Sequence, residues 1–131
     1  MIKKIIPYST QSISSDDIKG VTQVLKSSFL TSGPEVEKFE KKISNYLGVK
    51  YAVAVNSATS ALHLSCIALG LSSKDIFWTS DNSFVASANC GVLCGAKPNL
   101  IDINIDDFNI SVDEIERKLK NTKKKKRPKI I

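Results

Sequence analysis

No stretch of eighteen apolar residues occurs in this chain, so no segment reads as a membrane-spanning helix. The opening MIKKIIPYSTQ has no apolar run long enough for a secretory signal, and a cytoplasmic location is the expected default. Histidine is almost missing, with His63 alone, and cysteine is limited to Cys66, Cys90 and Cys94. An odd cysteine count without a secretory signal argues against a disulfide framework. Cys90 and Cys94 stand four apart and could share a metal, but two thiolates need further ligands and His63 is distant in sequence. All three thiols are therefore expected to be reduced core residues, with no metal site. Internal repeats are lacking as well.

Acid is missing from the last fifteen residues. Arg117–Ile131 holds nine basic residues and no acidic one, whereas the 116 residues before it hold ten basic and thirteen acidic. The formal charge of +6 therefore belongs to one tail on a mildly acidic body. Nucleic-acid binders usually spread base over a face and interleave aromatics. Lys123-Lys124-Lys125-Lys126-Arg127 has no aromatic neighbour and reads as a solvated connector, with a nucleic-acid or other anionic partner as the alternative. Neither nucleic acid nor a membrane is expected as a partner.

What is present fits a soluble globular fold: 131 residues, 42% apolar and 24% charged. One domain of this size can bury a real core. Ser14-Ser15-Asp16-Asp17 opens a helix in the manner of a capping box, with Ile18, Val21 and Leu25 on one face. Pro34 suits the first position of a second helix carrying Val36, Phe39, Ile43 and Tyr46, stopped at Gly48. Tyr51–Val55 reads as a buried strand and leads into a helix over Thr59–Leu69 that ends at Gly70. A strand is expected at Ile76–Thr79, a helix over Phe84–Leu93 capped by Asp81-Asn82-Ser83, and a strand at Asn99–Ile103. Ser111-Val112-Asp113-Glu114 is a capping box for a last helix with Ile115 and Leu119 inward, and Pro128–Ile131 starts another strand. Strands alternating with helices give an α/β class with a mostly parallel sheet. A strand that begins as the chain stops reads as the front part of a larger domain, and an uncovered edge predicts poor solubility alone.

The most informative run is YAVAVNSATSALHLSCIAL, residues 51–69. A helix start carries four unpartnered N–H groups and partial positive charge. Small hydroxyl residues at Ser57-Ala58-Thr59-Ser60 let an anion approach it. A phosphate cradle and an ordinary Ser57 N-cap both fit these residues. Phe84 opens a helix expected at the same carboxyl edge of the sheet, where open parallel sheets bind ligands. A ring stacked on Phe84 and a core aromatic are likewise both open.

The segments IPYSTQSIS, VLKSSFLTSGPEVEKFE, YAVAVNSATSALHLSCIALGL, DIFWTSDNSFVASANCGVLCGAKPNLIDI and NISVDEIERKLK, in this order, resemble the pyridoxal-phosphate sugar aminotransferases of the DegT/DnrJ/EryC1/StrS family. IPYSTQSI, NSATSALHL and FWTS…NSFVASANCG…CGAKP are most similar to its members on the route to pseudaminic acid. The match covers nearly all of the chain but only the front part of a typical member. The implied fold is the N-terminal part of the large domain of a fold-type I pyridoxal-phosphate-dependent transferase, incomplete here. Residues 1–50 would supply N-terminal helices and a substrate loop, and 51–131 the start of the sheet.

The resemblance gives Thr59 and Ser60 the cofactor phosphate and Phe84 the pyridine ring. It gives Tyr8, Ser28, Phe29, Leu30, Thr31 and Ala58 the substrate site, which such enzymes share across a homodimer. It implies transamination of a UDP-4-keto-6-deoxy-N-acetyl-hexosamine with glutamate as donor, giving UDP-4-amino-4,6-dideoxy-N-acetyl-β-L-altrosamine. The lysine that holds the cofactor and the aspartate at its pyridine nitrogen are expected beyond Ile131. No residue here is therefore assigned catalysis, neither Lys123–Lys126 nor Asp102, and the chain by itself is expected to be inactive. Amination of another 4-keto or 3-keto nucleotide sugar, and a non-catalytic remnant that keeps a phosphate or cofactor site, stand as alternatives.

Overall fold

The structure is a computed structural model and describes residues 6–131, so the MIKKI opening, the first five residues of the expected 1–50 segment, lies outside the described residues. The chain divides into two compact units, the first ending at Ala54 and the second running Val55–Ile131.

In the first unit, α1 (Ser15–Leu25) and α2 (Pro34–Leu47) form where expected. The box at α1 is complete: Asp17 N–H donates to Ser14 Oγ at 3.3 Å and Ser14 N–H donates to Asp17 Oδ2 at 2.7 Å. The Ser14 amide, and then its hydroxyl, hold the Asp17 carboxyl below its ordinary range. Its contribution to α1 is therefore present above the usual carboxylate pKa and lost as pH falls through the lowered value. Ser14→Ala is expected to cost about 1 kcal/mol at neutral pH and to flatten that acid-side loss. Amide exchange across α1 as a function of pH checks this; identical acid profiles in both proteins would refute it. Ile18, Val21 and Leu25 do share a face, but all three are exposed. Pro34 opens α2, and Gly48 ends it with φ +66°, a left-handed conformation that glycine adopts without strain.

The second unit contains α3 (Ala58–Ala68), β1 (Ile76–Ser80), α4 (Ala86–Leu93), β2 (Lys97–Ile101) and α5 (Val112–Asn121). β1 and β2 are parallel, with Ile76 opposite Lys97 and Ser80 opposite Ile101, and α4 is the crossover. On its other side β1 meets the C-terminal segment: Lys129 N–H donates to Ile76 O at 2.8 Å and Trp78 N–H to Ile130 O at 3.0 Å. Successive strand residues point to opposite faces, and both Phe77 and Trp78 are buried, at 3% and 2% exposure. Phe77 packs with Cys66, Leu71, Cys90 and Ala96 among α3 and α4. The Trp78 ring lies beneath Lys118 of α5, whose Nζ is 5.3 Å from the ring centre. Both faces of β1 are thus covered, as a central parallel strand requires, whereas Lys97–Leu100 of β2 remain exposed.

Several expectations shift. Tyr51–Val55 forms no strand, and Tyr51 and Val53 are exposed. An extended segment becomes a strand only when a neighbour accepts its ladder, and among the described residues its one cross-link is Ala54 N–H to Glu40 Oε1, 2.8 Å. The third strand sits two residues earlier than read, because Lys97 N–H bonds Asp75 O and fixes the register there. Helix α4 starts at Ala86, not Phe84. Its N-cap is Val85, without a side-chain cap, so Asp81–Ser83 do not cap it. At α5 the Ser111 hydroxyl accepts from Glu114 N–H at 3.2 Å, but the return arm is absent, since Glu114 pairs with Arg117 and Ser111 N–H donates to Asp102 O. Cys66 and Cys90 are buried and Cys94 is half-buried, all as free thiols. Burial, reinforced by the Cys90 thiol, pushes Cys66 up to about 11.

Candidate functional site

Helix direction decides where the expected site residues stand. The C-terminal end of α3 lies at the start of β1, since Lys129 Nζ donates to Gly70 O while Lys129 N–H holds Ile76 O. The end of α4 is beside the same edge: a Cβ on Gly95 would lie 3.1 Å from Ser73 Cβ, in the segment leading into β1. α3 packs against α4, so the two helices run in the same direction. The eleven residues of α3 span about 16 Å, equal to a five-residue strand, and the eight of α4 span about 12 Å, with Phe84 and Val85 leading up from the end of β1. The first turns of both helices therefore reach the carboxyl edge of the β-sheet, where ligands bind in such folds.

The α3 turn is built from small polar residues. Ser57 is its N-cap, and its Oγ accepts from Ser60 N–H at 3.1 Å. The amides of Ala58 and Thr59 precede the first intrahelical bond, Ala61 N–H to Ser57 O, and so open outward without a helical acceptor. Ala58 and Thr59 are exposed and Ser60 is half-buried. Helices α1, α2 and α5 carry acids in their first turns, whereas α3 and α4 carry none. The positive end of α3 is thus left uncompensated by its own side chains. These donors fit a phosphate monoester.

One participant escaped the sequence reading. Asn56 Oδ1 accepts from Ser60 Oγ at 2.7 Å, and Ser60 Oγ also lies 3.0 Å from Ser57 Oγ. The Ser60 hydroxyl proton is thereby held by Asn56, so an incoming anion must draw it away. The four-residue spacing of Asn56 and Ser60 around an N-cap serine was the available signal. Phe84 sits two residues ahead of α4 and is 76% exposed, so it is not a core aromatic. Its ring face is open to a planar group. Ser83 Oγ and Ser87 Oγ, 2.8 Å apart, brace the turn that carries it.

Tyr8, Ser28, Phe29, Leu30 and Thr31 belong to the first unit and are all exposed. Phe29 and Leu30 line a cleft between Gly20, Gln23 and Val24 of α1 and the start of α2. The loop is tightly drawn. Ser32 has φ +48°, and a Cβ on Gly33 would lie 3.0 Å from Phe29 Cβ. Ser28, Thr31 and Tyr8 do not line that cleft. Among the described residues no cluster of three or more metal-ligating side chains occurs, and no helix is long and apolar enough to cross a membrane.

Comparison with known proteins places this arrangement. A transaminase of Campylobacter jejuni strain 81-176, named for UDP-4-amino-4,6-dideoxy-N-acetyl-β-L-altrosamine, is 44% identical over 115 residues, 88% of this chain and 30% of that protein. A spore coat polysaccharide biosynthesis protein of Bacillus subtilis is 40% identical over 111 residues, 85% of this chain and 28% of that protein. The PLP-form structure of a Streptococcus pneumoniae protein assigned as a sugar aminotransferase superposes with a TM-score of 0.80 at 31% identity, covering 86% of this chain and 29% of that one. The chain thus spans about 30% of the length of the relatives it matches. Solved sugar aminotransferases thus share the chain's mixed fold of helices and parallel strands over 86% of its length. The sequence profile that matches residues 11–126 spans both units and gives the assignment: the chain belongs to the DegT/DnrJ/EryC1/StrS aminotransferase family.

Proposed function

We propose that this chain forms the phosphate cradle and ring-stacking part of a pyridoxal-phosphate-dependent sugar aminotransferase. The observation that carries this reading is the pairing, on one sheet edge, of an acid-free helix start at Ala58–Ser60 with the exposed ring of Phe84. Thr59 and Ser60 hold the phosphate, with the Ala58 and Thr59 amides as donors, and Phe84 lies against the pyridine. When bound, that cofactor supplies an electron sink for moving an amino group. Tyr8, Ser28, Phe29, Leu30, Thr31 and Ala58 line the sugar site. The chain is the N-terminal portion of the enzyme's large domain, with 1–50 as helices and substrate loop and 51–131 as the start of the sheet. The substrate is a UDP-4-keto-6-deoxy-N-acetyl-hexosamine and the donor glutamate. The product is UDP-4-amino-4,6-dideoxy-N-acetyl-β-L-altrosamine, made in the cytoplasm by a homodimer on the route to pseudaminic acid. The 44% identical Campylobacter relative supports this choice of sugar. The Bacillus relative at 40%, named for spore coat polysaccharide, favours a second reading in which another keto nucleotide sugar is aminated. The 131-residue chain on its own does not transaminate.

Titration of the chain with pyridoxal phosphate is expected to shift the amide resonances of Ala58, Thr59 and Ser60. Inorganic phosphate should compete, and pyridoxal without its phosphate should fail. Phe84→Ala is expected to weaken binding about threefold to tenfold, the scale of an aromatic stacking contact. Shifts confined to other amides would sink the cradle. The native gene product, given the 4-keto sugar and glutamate, is expected to release 2-oxoglutarate and the 4-amino sugar. Faster turnover of a different keto sugar would overturn the substrate while leaving the cradle standing.

A further inference from the structure

The strongest feature left unused by the aminotransferase reading is the basic turn after α5. Lys124–Lys126 form a single 3-10 turn, closed by Lys126 N–H to Lys123 O at 2.7 Å and Arg127 N–H to Lys124 O at 3.4 Å. All of Lys123–Arg127 are exposed. The turn is tied at both ends: Thr122 Oγ1 donates to Lys118 O at 2.6 Å, and Lys129 N–H to Ile76 O at 2.8 Å. Lys129 itself is spoken for, with Nζ 3.5 Å from Asp75 Oδ2. Among the described residues the ion pairs are those of Lys38, Arg117, Lys120 and Lys129, and none includes Lys123–Arg127. Five like charges are therefore held together on an anchored knob without counter-charges. That arrangement opposes itself unless an anion is brought to it. Because the turn joins α5 to the segment at Ile76, it stands at the amino edge of the sheet, away from the α3 start, and plays no part in gripping the cofactor.

We propose, against the sequence expectation of no membrane partner, that this turn is an electrostatic docking surface for an anionic phospholipid membrane. A nucleic acid is the other large polyanion, and the turn suits it less well. It has no aromatic to stack on a base and no helix long enough to enter a groove, and four of the five cations are lysines, which act as point charges without the fork that reads a base edge. Side chains of a 3-10 turn radiate about 120° apart, so few could follow one row of phosphates. A diffuse headgroup layer asks only for local charge density, which five exposed cations on one anchored turn supply.

The test compares two triple variants of the whole chain, each taking the formal charge from +6 to zero. One carries Lys124→Glu, Lys125→Glu and Lys126→Glu. The other carries Lys19→Glu, Lys41→Glu and Lys42→Glu, at exposed positions on α1 and α2. Co-sedimentation uses vesicles of 3:7 phosphatidylglycerol to phosphatidylcholine, with pure phosphatidylcholine as the neutral surface. The parent chain is expected to bind the anionic vesicles at 50 mM salt, to lose about tenfold in partitioning by 300 mM, and to ignore the neutral ones. The turn variant should lose about tenfold at 50 mM, while the α1/α2 variant keeps at least half. Equal loss in both variants, binding to neutral vesicles, or tighter binding to a 30-base-pair duplex than to anionic vesicles would each overturn the proposal. None of these outcomes depends on cofactor binding.

Discussion

Gly91→Ala is expected to destabilise the second unit by about 1–3 kcal/mol, the cost of forcing atoms into a packed core. Gly91 lies on α4 where the helix crosses β1, and a Cβ there would stand 2.3 Å from Phe77 Cε1 and 2.5 Å from Cζ. The ring cannot step aside, because Phe77 is 3% exposed and wedged with Cys66, Cys90, Leu71 and Ala96. The helix must lift off the strand or the ring must leave its rotamer. Helix propensity works the other way, since alanine is better than glycine in a helix by about 1 kcal/mol. Gly20 isolates that term: it is also helical, and its added Cβ would meet nothing within 4 Å. Gly20→Ala is therefore expected to stabilise by up to about 1 kcal/mol. Urea unfolding of the two variants should give opposite signs. A Gly91→Ala protein as stable as the parent would mean that α4 does not sit on Phe77. Adding Phe77→Leu to Gly91→Ala should recover part of the loss, because the two substitutions share one space.

Trp78→Ala carries the largest expected cost, about 3–5 kcal/mol. Trp78 is 2% exposed, and its ring lies beneath Lys118 of α5. A domain of ordinary stability has about 5–15 kcal/mol in hand, so this single change should leave a substantial unfolded fraction. Trp78→Phe keeps most of the buried area and should cost much less. Lys118→Met removes the cation above the ring, together with its bonds to Asn99 Oδ1 and Leu100 O, yet leaves an apolar stem in place. Its cost should be about 1 kcal/mol. Hydrogen exchange in α5 distinguishes the sources: Trp78→Ala should release the whole helix, Lys118→Met only the contacts at β2. A cost below about 1 kcal/mol for Trp78→Ala would show that α5 is not seated on that face.

Much of this was legible from residues alone where the signal is local. Ser14 with Asp17, Pro34, Ser57 and the stops at Gly48 and Gly70 act through bonds or torsions within a few residues, and each appears in place. The parallel pairing was legible from the alternation of elements, while at the expected strand Pro128–Ile131 only Ile130 pairs, as an isolated parallel bridge to Phe77. Tyr51–Val55 was not, because β-branched composition announces a strand but cannot name its neighbour, and pairing alone makes one. The α4 start failed for a different reason. Asp81-Asn82-Ser83 has the chemistry of a cap, but Asp81 N–H is drawn to Ile101 O, which keeps the chain in line with β2 for one more residue and delays the helix. The α5 box lost its return arm to Arg117 because a charged fork outbids a backbone amide for the Glu114 carboxylate. At the candidate site, the exposure of Phe84 reversed the reading that composition favours, since an aromatic next to an apolar helix is more often core. Asn56 went unseen because its partner is a hydroxyl, whose preferences leave little trace in a pattern of apolar and polar residues.

The placement of β1 between β2 and Ile130 has a consequence for how the chain acquires its shape during translation. Trp78 is made more than fifty residues before the carbonyl that holds its amide. At about 5–20 residues per second that interval lasts several seconds, far longer than a helix or a short parallel unit needs to collapse. Through that interval the nascent polypeptide leaving the ribosome can join β1 to β2, but the opposite side of β1 stays open. Chaperones or another nascent chain have their access then, and it closes when Ile130 arrives.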